Sequence, residues 1–271
     1  MLEKVAFVKT LLPDIRNYIL SHPIQNIEVK DNEFDNIVTD IDVTIQNRLE
    51  KALIDRYPDT SLFGEEADEH LFTPKMWIID PIDGTKNFVR AKADYTVSIA
   101  YYEDLKPVFG VVYDVVSDDV YVGITGQGAW MNDVKLNPRP SITLHQAVID
   151  MSLKTVYALE RRHHADVYTL SKNVFAHRNL GSASLSLCKI AAGFHDIYVN
   201  IHLKLWDYAA ARIVLNEVGG VTEFPFEGKQ DLNLHSVFLF SSSHPDLHQE
   251  LMNLLFTKEK YASSKLCQAF D

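Results

Sequence analysis

The segment between Tyr95 and Val134 limits the possible folds more strongly than any other part of the chain. Its three runs YTVSIAYY, PVFGVVYDVV and DVYVGIT are rich in Val, Ile, Tyr and Phe, and the polar stretches EDLK, SDD and GQG separate or follow them. Runs of β-branched and aromatic residues bounded by turn residues are typical of strands that pair in sequence. We therefore predict three or more consecutive antiparallel strands in this segment.

Helical patterns surround this strand-rich segment. The N-terminal run MLEKVAFVKTLLPDIRNYIL has apolar residues every three or four positions, and charged residues interrupt it. It therefore predicts an amphipathic helix rather than a signal peptide or a membrane span. A second helical pattern runs from Val43 to Tyr57.

The second part of the chain alternates between the two patterns. AVIDMSL, DIYVNIHL and VFLFSSS predict strands, whereas SLSLCKIAAGF, DYAAARIVLNEVGG and HPDLHQELMNLLF predict helices. The stretch LNPRPS at 136–141 is the best candidate for a seam, that is, a boundary between two halves of the chain. We predict one domain, 1–271, with two packed halves, 1–138 and 139–271.

Charge and cysteine content argue against several classes of protein. The formal net charge is −11, and the most basic stretch, ERRHHAD at 160–166, carries its own acids. Nucleic-acid binding normally requires a basic surface, so we predict no nucleic-acid partner. Cys188 and Cys267 lack the paired spacing of a disulfide framework or a zinc site. A reducing compartment, the cytoplasm, is the simpler prediction, with no membrane association.

The stretch WIIDPIDGTKNF at 77–88 concentrates negative charge behind an apolar run. The run predicts a buried strand that ends at Asp80, with PIDGT as the loop that follows. Pro81 restricts Asp80 to extended conformations, and Asp83 then returns toward the same point. Gly84 permits a backbone turn, after which the amide groups can open a helix whose N-terminus accepts an anion.

Two carboxylates held close together cannot both ionise comfortably without a cation. A divalent ion that prefers oxygen ligands fits this requirement, and Mg²⁺ takes one or two carboxylates, a carbonyl, waters and a substrate phosphate. The carbonyl of Ile82 is well placed to contribute. For this motif in isolation, the alternative that Asp80 and Asp83 cap the turn and the following helix stays open.

Further acidic residues occur at other predicted element ends. Glu65 and Glu66 in SLFGEEADEH follow an apolar pair and a glycine, where a short strand could end beside the first one. Asp207 lies at the start of a helix rich in small residues, and Asp40 and Asp42 precede another helix. Taken singly, these residues are typical of a solvated loop or of helix caps.

Taken together, these segments resemble the inositol monophosphatase family of Mg²⁺-dependent, lithium-sensitive phosphatases. The resemblance extends from about Lys30 to Gly220 and rests on five ordered segments: GEE, WIIDPIDGTKNF, GVVYDVVSDDVYVGITGQGAW, NLGSASLSLCKIAAG and WDYAAARIVLNEVGG. It implies a layered α/β fold, an αβαβα sandwich of the inositol monophosphatase and fructose-1,6-bisphosphatase type, with the metal site between the two halves. It also implies a homodimer.

The resemblance implies a ligand set for two or three Mg²⁺ ions: Glu65, Asp80 and the Ile82 carbonyl for the first, Asp80, Asp83 and Asp207 for the second, and, through water, Glu65 and Asp42 for a looser third. Lys30 would approach the water shell of the metal. Glu65 and Thr85, together with Asp80, would be catalytic, because Glu65 and Thr85 would orient and deprotonate the attacking water. The implied substrate-binding residues are Asp83, Gly84, Thr85, Gly181, Ser182, Ala183, Asn200 and Asp207.

The implied reaction is hydrolysis of a phosphomonoester by direct attack of a metal-activated water. Inositol-1-phosphate is the first substrate that the resemblance suggests. Asn200, however, occupies the position where the family has a glutamate that contacts ring hydroxyls, and an amide is neutral. The 2′-phosphate of NADP, 3′-phosphoadenosine 5′-phosphate, fructose-1,6-bisphosphate and histidinol phosphate stay open, as does a non-catalytic protein that binds a metal or a sugar phosphate.

Overall fold

The computed structural model describes residues 2–30, 36–67, 70–226 and 235–256. The helices within these ranges are α1 (Leu2–Ser21), α2 (Asp40–Arg56), α3 (Thr85–Arg90), α4 (Leu153–His163), α5 (Val167–Asn173), α6 (Ala183–Ala192), α7 (Leu205–Asn216) and α8 (Pro245–Leu255). The strands are β1 (Ile27–Val29), β2 (Ile37–Thr39), β3 (Ser61–Gly64), β4 (Lys75–Asp83), β5 (Thr96–Glu103), β6 (Lys106–Asp114), β7 (Asp119–Ile124), β8 (Gly128–Met131), β9 (Val134–Lys135), β10 (Val148–Met151), β11 (Ala176–Arg178), β12 (Ile197–Leu203), β13 (Val221–Glu223) and β14 (Val237–Ser242).

The first large sheet has seven strands in the order β3-β4-β5-β6-β7-β8-β9. Strands β3 and β4 are parallel, and every later neighbouring pair is antiparallel. The predicted run of consecutive antiparallel strands is therefore confirmed. The parallel pair matters for function because the carboxyl ends of β3 and β4 lie at the same edge of the sheet.

The second large sheet has five strands in the order β11-β10-β12-β14-β13. Strand β10 is parallel to both of its neighbours, whereas β14 is antiparallel to β12 and β13. A short 3₁₀ helix, Leu144–Gln146, precedes β10. The predicted seam at 136–141 falls between β9 and this helix, and the division of the chain into two halves there stays a prediction.

Helices and sheets alternate in five layers. Helices α1 and α2 pack on one face of the seven-stranded sheet, α6 and α7 lie between the two sheets, and α4 and α8 cover the far face of the five-stranded sheet. The predicted αβαβα arrangement is confirmed. The largest core cluster surrounds α6 and α7 and contains residues from both sheets, so this middle helical layer joins the two parts of the chain.

Helix α7 approaches the seven-stranded sheet unusually closely. A Cβ atom added to Gly110 in β6 would lie 2.3 Å from the carbonyl oxygen of Ala210 and 2.6 Å from its Cα. A glycine is therefore required at this contact, and the small side chains of α7 let its backbone lie against the sheet. This contact fixes the position of the helix that begins with Leu205, Trp206 and Asp207.

Some elements begin or end elsewhere than predicted, and some were not predicted. Helix α2 begins at Asp40 rather than Val43, because Thr39 caps it. The hairpin of β1 with β2 and the helices α4 and α5 were not predicted. Among the described residues, none of the helices combines the length and apolar character that a membrane span requires. Cys267 lies outside the described residues.

Candidate active site

The acidic motif occupies the end of β4, but not as a loop. The prediction that β4 ends at Asp80 was wrong: the strand continues to Asp83. Asp80 pairs with Ser98 and Asp83 with Thr96, so β4 holds one extra residue opposite β5. Pro81 lies in this bulge, where the absence of an N–H group costs the sheet no hydrogen bond. The bulge changes the direction of the chain between Asp80 and Asp83.

Glu65 lies next to this bulge because β3 and β4 are parallel. Gly64, the last residue of β3, pairs with Ile79, and the Glu65 amide donates a 3.0 Å hydrogen bond to the Ile79 carbonyl. Glu65 therefore leaves the sheet beside Asp80, as the sequence had suggested for a short strand ending there. The first two acidic segments meet through strand pairing rather than through proximity in sequence.

Asp83 accepts four hydrogen bonds from the N-terminus of α6. Its Oδ2 accepts from Ser182 Oγ at 2.7 Å, from Ser184 N at 2.7 Å and from Ser184 Oγ at 2.6 Å. Its Oδ1 accepts a longer bond from Ala183 N, at 3.2 Å. Asp83 therefore does cap a helix, but the helix is α6 and not the one that follows it in sequence. Oδ1 is the less engaged oxygen.

Asp207 lies in the first turn of α7, one position after Trp206. The backbone amide of Lys204 donates a 2.7 Å hydrogen bond to Asp207 Oδ2. The helix N-cap is Lys204, so Asp207 is the third helical residue rather than the cap itself. Its carboxylate still satisfies a backbone donor ahead of the helix, as a capping-box acid does.

Asp42 and Thr85 link α2 to the start of α3. Asp42 is 1% exposed, and its Oδ2 accepts the backbone amide of Thr39 at 3.0 Å. The Thr85 hydroxyl lies 3.2 Å from Asp42 Oδ1 and 3.1 Å from the Ile82 carbonyl oxygen. Gly84, with a φ of +95°, sets the turn from β4 into α3. The hydroxyl of Thr85 is thus held by an acid and a carbonyl of the predicted metal site.

Lys30 contacts the two adjacent glutamates. Its Nζ lies 3.2 Å from Glu65 Oε1 and also contacts Glu66 Oε1. The side chain of Glu65 is 20% exposed and that of Glu66 9%. The nearby carboxylates raise the pKa of Lys30, which opposes the effect of its burial. The lysine therefore stays charged and partly neutralises this corner of the site.

The five predicted carboxylate ligands, which we call the acid cluster, are all destabilised in their charged form. Burial is the main cause in each case. It raises the pKa of Glu65 to about 7 and that of Asp42 to about 6. Burial and repulsion from the other members of the cluster raise the pKa of Asp80 and of Asp207 well above the usual range. The members of the acid cluster are Asp42, Glu65, Asp80, Asp83 and Asp207.

The chemistry of this donor set fits a hard divalent cation. The acid cluster and the Ile82 carbonyl provide oxygen atoms, which Mg²⁺ prefers, and mutual repulsion is what such an ion would relieve. Among the described residues, no three acid, histidine or cysteine side chains lie in an arrangement that could hold a metal ion on their own. Mg²⁺ usually keeps several waters and takes one or two carboxylates directly, so waters would complete its shell at this cluster.

A cleft of about 1950 Å³ opens in front of the acid cluster. Seven of the predicted site residues belong to its lining: Lys30, Glu65, Asp83, Gly181, Ala183, Asn200 and Asp207. The others do not line it: Asp42, Asp80, Ile82, Gly84, Thr85 and Ser182. Asp80 and Asp42 are 2% and 1% exposed, so they lie behind the surface of the cleft. The cleft continues past the acid cluster to Lys154 and Tyr157 on α4.

Asn200 lies at a bulge in β12 and is already held by its neighbours. Its Oδ1 accepts from the Ile201 amide at 2.7 Å and from Thr155 Oγ1 at 3.2 Å, and its Nδ2 donates to the Tyr198 hydroxyl at 2.6 Å. The β12–β14 pairing shifts register between Asn200 and Leu203. The amide therefore presents a fixed, neutral group to the cleft, with one N–H left for a further acceptor.

Sequence reasoning did not identify the role of Ser184, which supplies two of the four donors to Asp83. It also assigned nothing to Asn87, whose side chain bridges α3 and the segment before α6. Ser184 follows the GSA motif directly, so a polar residue at a buried helix start was the available signal. Asn87 lies within WIIDPIDGTKNF and gave no local signal, because its partner Leu180 is 93 residues away.

Comparison with known proteins agrees with this geometry. A model of the inositol monophosphatase family matches residues 5–259. The chain is 37% identical over 238 residues to an inositol-1-monophosphatase from Bacillus subtilis, covering 85% of this chain and 87% of that protein.

Solved structures also share the fold over almost the full chain. A staphylococcal IMPase-I complexed with products has a TM-score of 0.84 and 26% identity, covering 95% of this chain and 97% of that one. An IMPase/NADP phosphatase complexed with Mg²⁺ and phosphate has a TM-score of 0.81 and 26% identity, with 95% of each chain covered.

Proposed function

This chain belongs to the inositol monophosphatase family, a family of phosphomonoester hydrolases, and from that premise we propose that it hydrolyses small phosphomonoesters with Mg²⁺ at the acid cluster. The observation that carries the proposal is the acid cluster itself, five buried or half-buried carboxylates whose pKa values are all raised by burial. Such a set is costly to keep in a folded protein unless a cation compensates it. A relative of the same fold carries Mg²⁺ and phosphate in its crystal structure.

The proposed ligands are the acid cluster and the carbonyl of Ile82. When bound, Mg²⁺ lowers the pKa of a water and neutralises the charge of the phosphate. The half-buried position of Glu65 beside Lys30 suits a group that accepts a proton from the attacking water. The Thr85 hydroxyl, held between Asp42 and the Ile82 carbonyl, would orient that water.

The phosphate would lie at the start of α3. The first turn of a helix offers N–H groups without intrahelical acceptors, and the amides of Gly84 and Thr85 lie at this point. Asp83 and the residues that bond it from α6 would face the leaving group, together with Asp207. The chain supplies no covalent nucleophile in this scheme, so direct attack by water accounts for the reaction.

Inositol-1-phosphate is the first candidate substrate, because two relatives named as inositol monophosphatases are 37% and 34% identical to this chain over 85% and 72% of its length. The neutral Asn200 can bond a ring hydroxyl but cannot attract or orient it as a carboxylate would. We therefore propose that the leaving group is recognised less strictly here than by a glutamate at the same position.

A second candidate is a substrate with a larger and more anionic leaving group, such as the 2′-phosphate of NADP. The cleft of about 1950 Å³ is much larger than a sugar phosphate requires, and Lys154, Arg162 and Lys204 are part of its lining. Tyr157, 61% exposed, also lies in the lining and could stack on a base. A solved relative is described as an IMPase/NADP phosphatase.

A phosphate-release assay tests the proposal. The purified protein is incubated with Mg²⁺ and, separately, with inositol-1-phosphate, NADP, 3′-phosphoadenosine 5′-phosphate, fructose-1,6-bisphosphate and histidinol phosphate. We expect phosphate release from at least one of them, inhibition by lithium, and loss of activity in EDTA. Comparison of kcat/KM across the panel then ranks the two substrate classes.

Binding of Mg²⁺ without turnover of any phosphomonoester would contradict the proposed reaction and favour the non-catalytic alternative. The smaller substrate class would be favoured if kcat/KM is higher for inositol-1-phosphate than for NADP and if Lys154→Ala leaves this preference unchanged. Selective loss of NADP turnover in Lys154→Ala would favour the larger one.

Mg²⁺ should stabilise the protein more at high pH than at low pH. The raised pKa of Glu65, about 7 against an ordinary 4.5, means that the metal-free folded state binds more protons than the unfolded state between these values. The free energy of unfolding without a divalent ion therefore falls as the pH rises through this window. Mg²⁺ binds the deprotonated cluster, so its stabilisation should be several degrees larger at about pH 8 than at about pH 5.

Thermal melts with Mg²⁺ and with EDTA at both pH values measure this effect. Since the comparison is made at the same pH each time, titration of groups outside the site cancels. An increase in melting temperature of the same size at both pH values would contradict the assignment of the acid cluster as the metal site.

We further propose two or three bound Mg²⁺ ions, a homodimer, and action in the cytoplasm, as the family resemblance implies. Calorimetric titration with Mg²⁺ gives the number of ions, and analytical ultracentrifugation gives the oligomeric state.

A further inference from the structure

Asn87 joins two segments that are remote in sequence. Its Nδ2 donates a 2.6 Å hydrogen bond to the carbonyl of Leu180, which is 93 residues away, and a 2.8 Å bond to the carbonyl of Asp94. Both hydrogens of the amide group are thus used on backbone acceptors. One side chain on α3 therefore holds the loop that leaves α3 and the segment that enters α6.

The segment that Asn87 holds is the one that bonds Asp83. Leu180 is followed by Gly181 and then by Ser182, Ala183 and Ser184, which provide all four hydrogen bonds to the Asp83 carboxylate. The anchor on Leu180 therefore lies two residues ahead of the first of these donors. A shift of the Leu180 carbonyl would move these donors as well.

The packing around Gly181 leaves little freedom for such a shift. Gly181 has a φ of +79°, and a Cβ atom added there would lie 3.3 Å from both Nδ2 and Oδ1 of Asn87. The backbone of Gly181 thus lies directly against the amide plane of Asn87. A Cβ added to Gly84 would similarly lie 3.5 Å from the Gly181 carbonyl oxygen.

These contacts form a closed circuit. From Asp83 the chain runs directly into α3, which carries Asn87, and Asn87 bonds Leu180. From Leu180 the chain runs into α6, whose first residues bond Asp83. Because the circuit closes, the orientation of the Asp83 carboxylate depends on Asn87, although Asn87 donates to the carbonyls of Asp94 and Leu180 and not to Asp83 itself.

We propose that Asn87 is a positioning residue for Asp83. It fixes the Leu180–Ser184 segment against α3, so that three donors hold Oδ2 of Asp83, one holds Oδ1, and the carboxylate keeps one orientation in the lining of the cleft. The proposal rests on the proposed function for its catalytic consequence. Its structural consequence, the ordering of the α6 N-terminus, can be measured without any activity.

Asn87→Ala tests the proposal, with Asn173→Ala as the matched control. Asn173 is also a half-buried asparagine that donates to a backbone carbonyl, that of Thr169 at 2.8 Å, but it lies on α5. We expect Asn87→Ala to lower kcat roughly tenfold to a hundredfold, since small displacements of a reacting group are costly. The control should keep the parent kcat.

Hydrogen exchange provides the readout that does not depend on activity. The Ala183 and Ser184 amides should exchange faster in Asn87→Ala, whereas the amides of α1 should exchange at the parent rate. A general loss of stability would instead speed exchange throughout the chain. If the parent has no phosphatase activity on any substrate, the proposed function fails, and the exchange experiment still decides the role of Asn87.

A double-mutant cycle with Ser182→Ala gives a further check. Because both residues act on Asp83 through the same segment, their effects on kcat should be clearly less than multiplicative. Asn87→Ser, which keeps one donor, should lie between the parent and Asn87→Ala and serves if the alanine variant does not fold.

Three results would overturn the proposal. The first is parent-like kcat in a folded Asn87→Ala or Asn87→Ser. The second is a loss of kcat that is proportional to the loss of folded protein, together with hydrogen exchange that is faster throughout the chain. The third is a double variant whose loss of kcat equals the product of the losses in Asn87→Ala and Ser182→Ala.

Discussion

Asp83→Asn is expected to lower kcat roughly a thousandfold, the scale on which removal of a single preorganised electrostatic group lowers catalysis. The backbone amide of Ser184 can only donate, so it selects the amide oxygen of the new side chain at the Oδ2 position. The NH₂ group then takes the place of Oδ1, where it opposes the Ala183 amide and any cation. The variant would keep the shape of the site and lose its charge.

The same substitution should leave the protein folded. Most donors to Asp83 keep an acceptor, and removal of the charge relieves the repulsion that Asp83 exerts on Asp80 and Asp207. We expect the free energy of unfolding in EDTA to change by no more than about 1 kcal/mol. Phosphate release with saturating Mg²⁺, circular dichroism and a thermal melt measure the two effects separately.

Asp104→Asn is the matched control, because Asp104 lies exposed in the turn between β5 and β6. It should behave as the parent in both assays. Near-normal turnover in Asp83→Asn would rule out Asp83 as a ligand. Loss of activity together with loss of folding would instead mean that Asp83 serves mainly to cap α6.

Glu65→Gln is expected to lower kcat by about two to three orders of magnitude, within the range that a general base contributes. The amide cannot accept a proton and is a poorer ligand for a divalent cation. Glu65 acts electrostatically on both Asp80 and Asp207, as their raised pKa values indicate. The loss should therefore persist at saturating Mg²⁺.

Glu66→Gln offers a comparison one residue away. Glu66 also contacts Lys30, and its backbone amide donates to Gln46 Oε1 at 2.8 Å. Glu66 helps to raise the pKa of Glu65 and of Asp42 by repulsion, after burial, but it is not one of the proposed ligands. Its loss should therefore cost less than tenfold in kcat. Equal losses of kcat in the two variants would show that pairing with Lys30, rather than the role proposed for Glu65, determines the activity.

Much of the fold could be predicted because the strong signals are local. The β-branched runs between Tyr95 and Val134 and the small-residue helix after Trp206 could be predicted from their own residues, without knowledge of a distant partner. The prediction that β4 ends at Asp80 failed for a non-local reason. Pairing with β5 continues beyond a bulge to Asp83, and the existence of a partner strand cannot be read from the motif itself.

Prediction of the candidate site was limited in the same way, by contacts between residues that are distant in sequence. The acidic residues could be recognised as candidates, and the parallel pairing of β3 with β4 brings Glu65 to Asp80, as expected for a short strand that ends beside the first one. The partners of Asp83 could not be derived, because Ser182 and Ser184 are about a hundred residues away and reach it only through the packing of α6. Asn87 was overlooked for the same reason.

The close contact of β6 with α7 restricts how this sequence can diverge. Any side chain at Gly110 would displace the backbone of Ala210, which lies one helical turn after Asp207. The location of a proposed ligand therefore depends on a residue in the middle of the sheet that never meets a substrate. A larger residue at Gly110 would therefore disturb the cleft from behind, and a survey of variants confined to the cleft would overlook it.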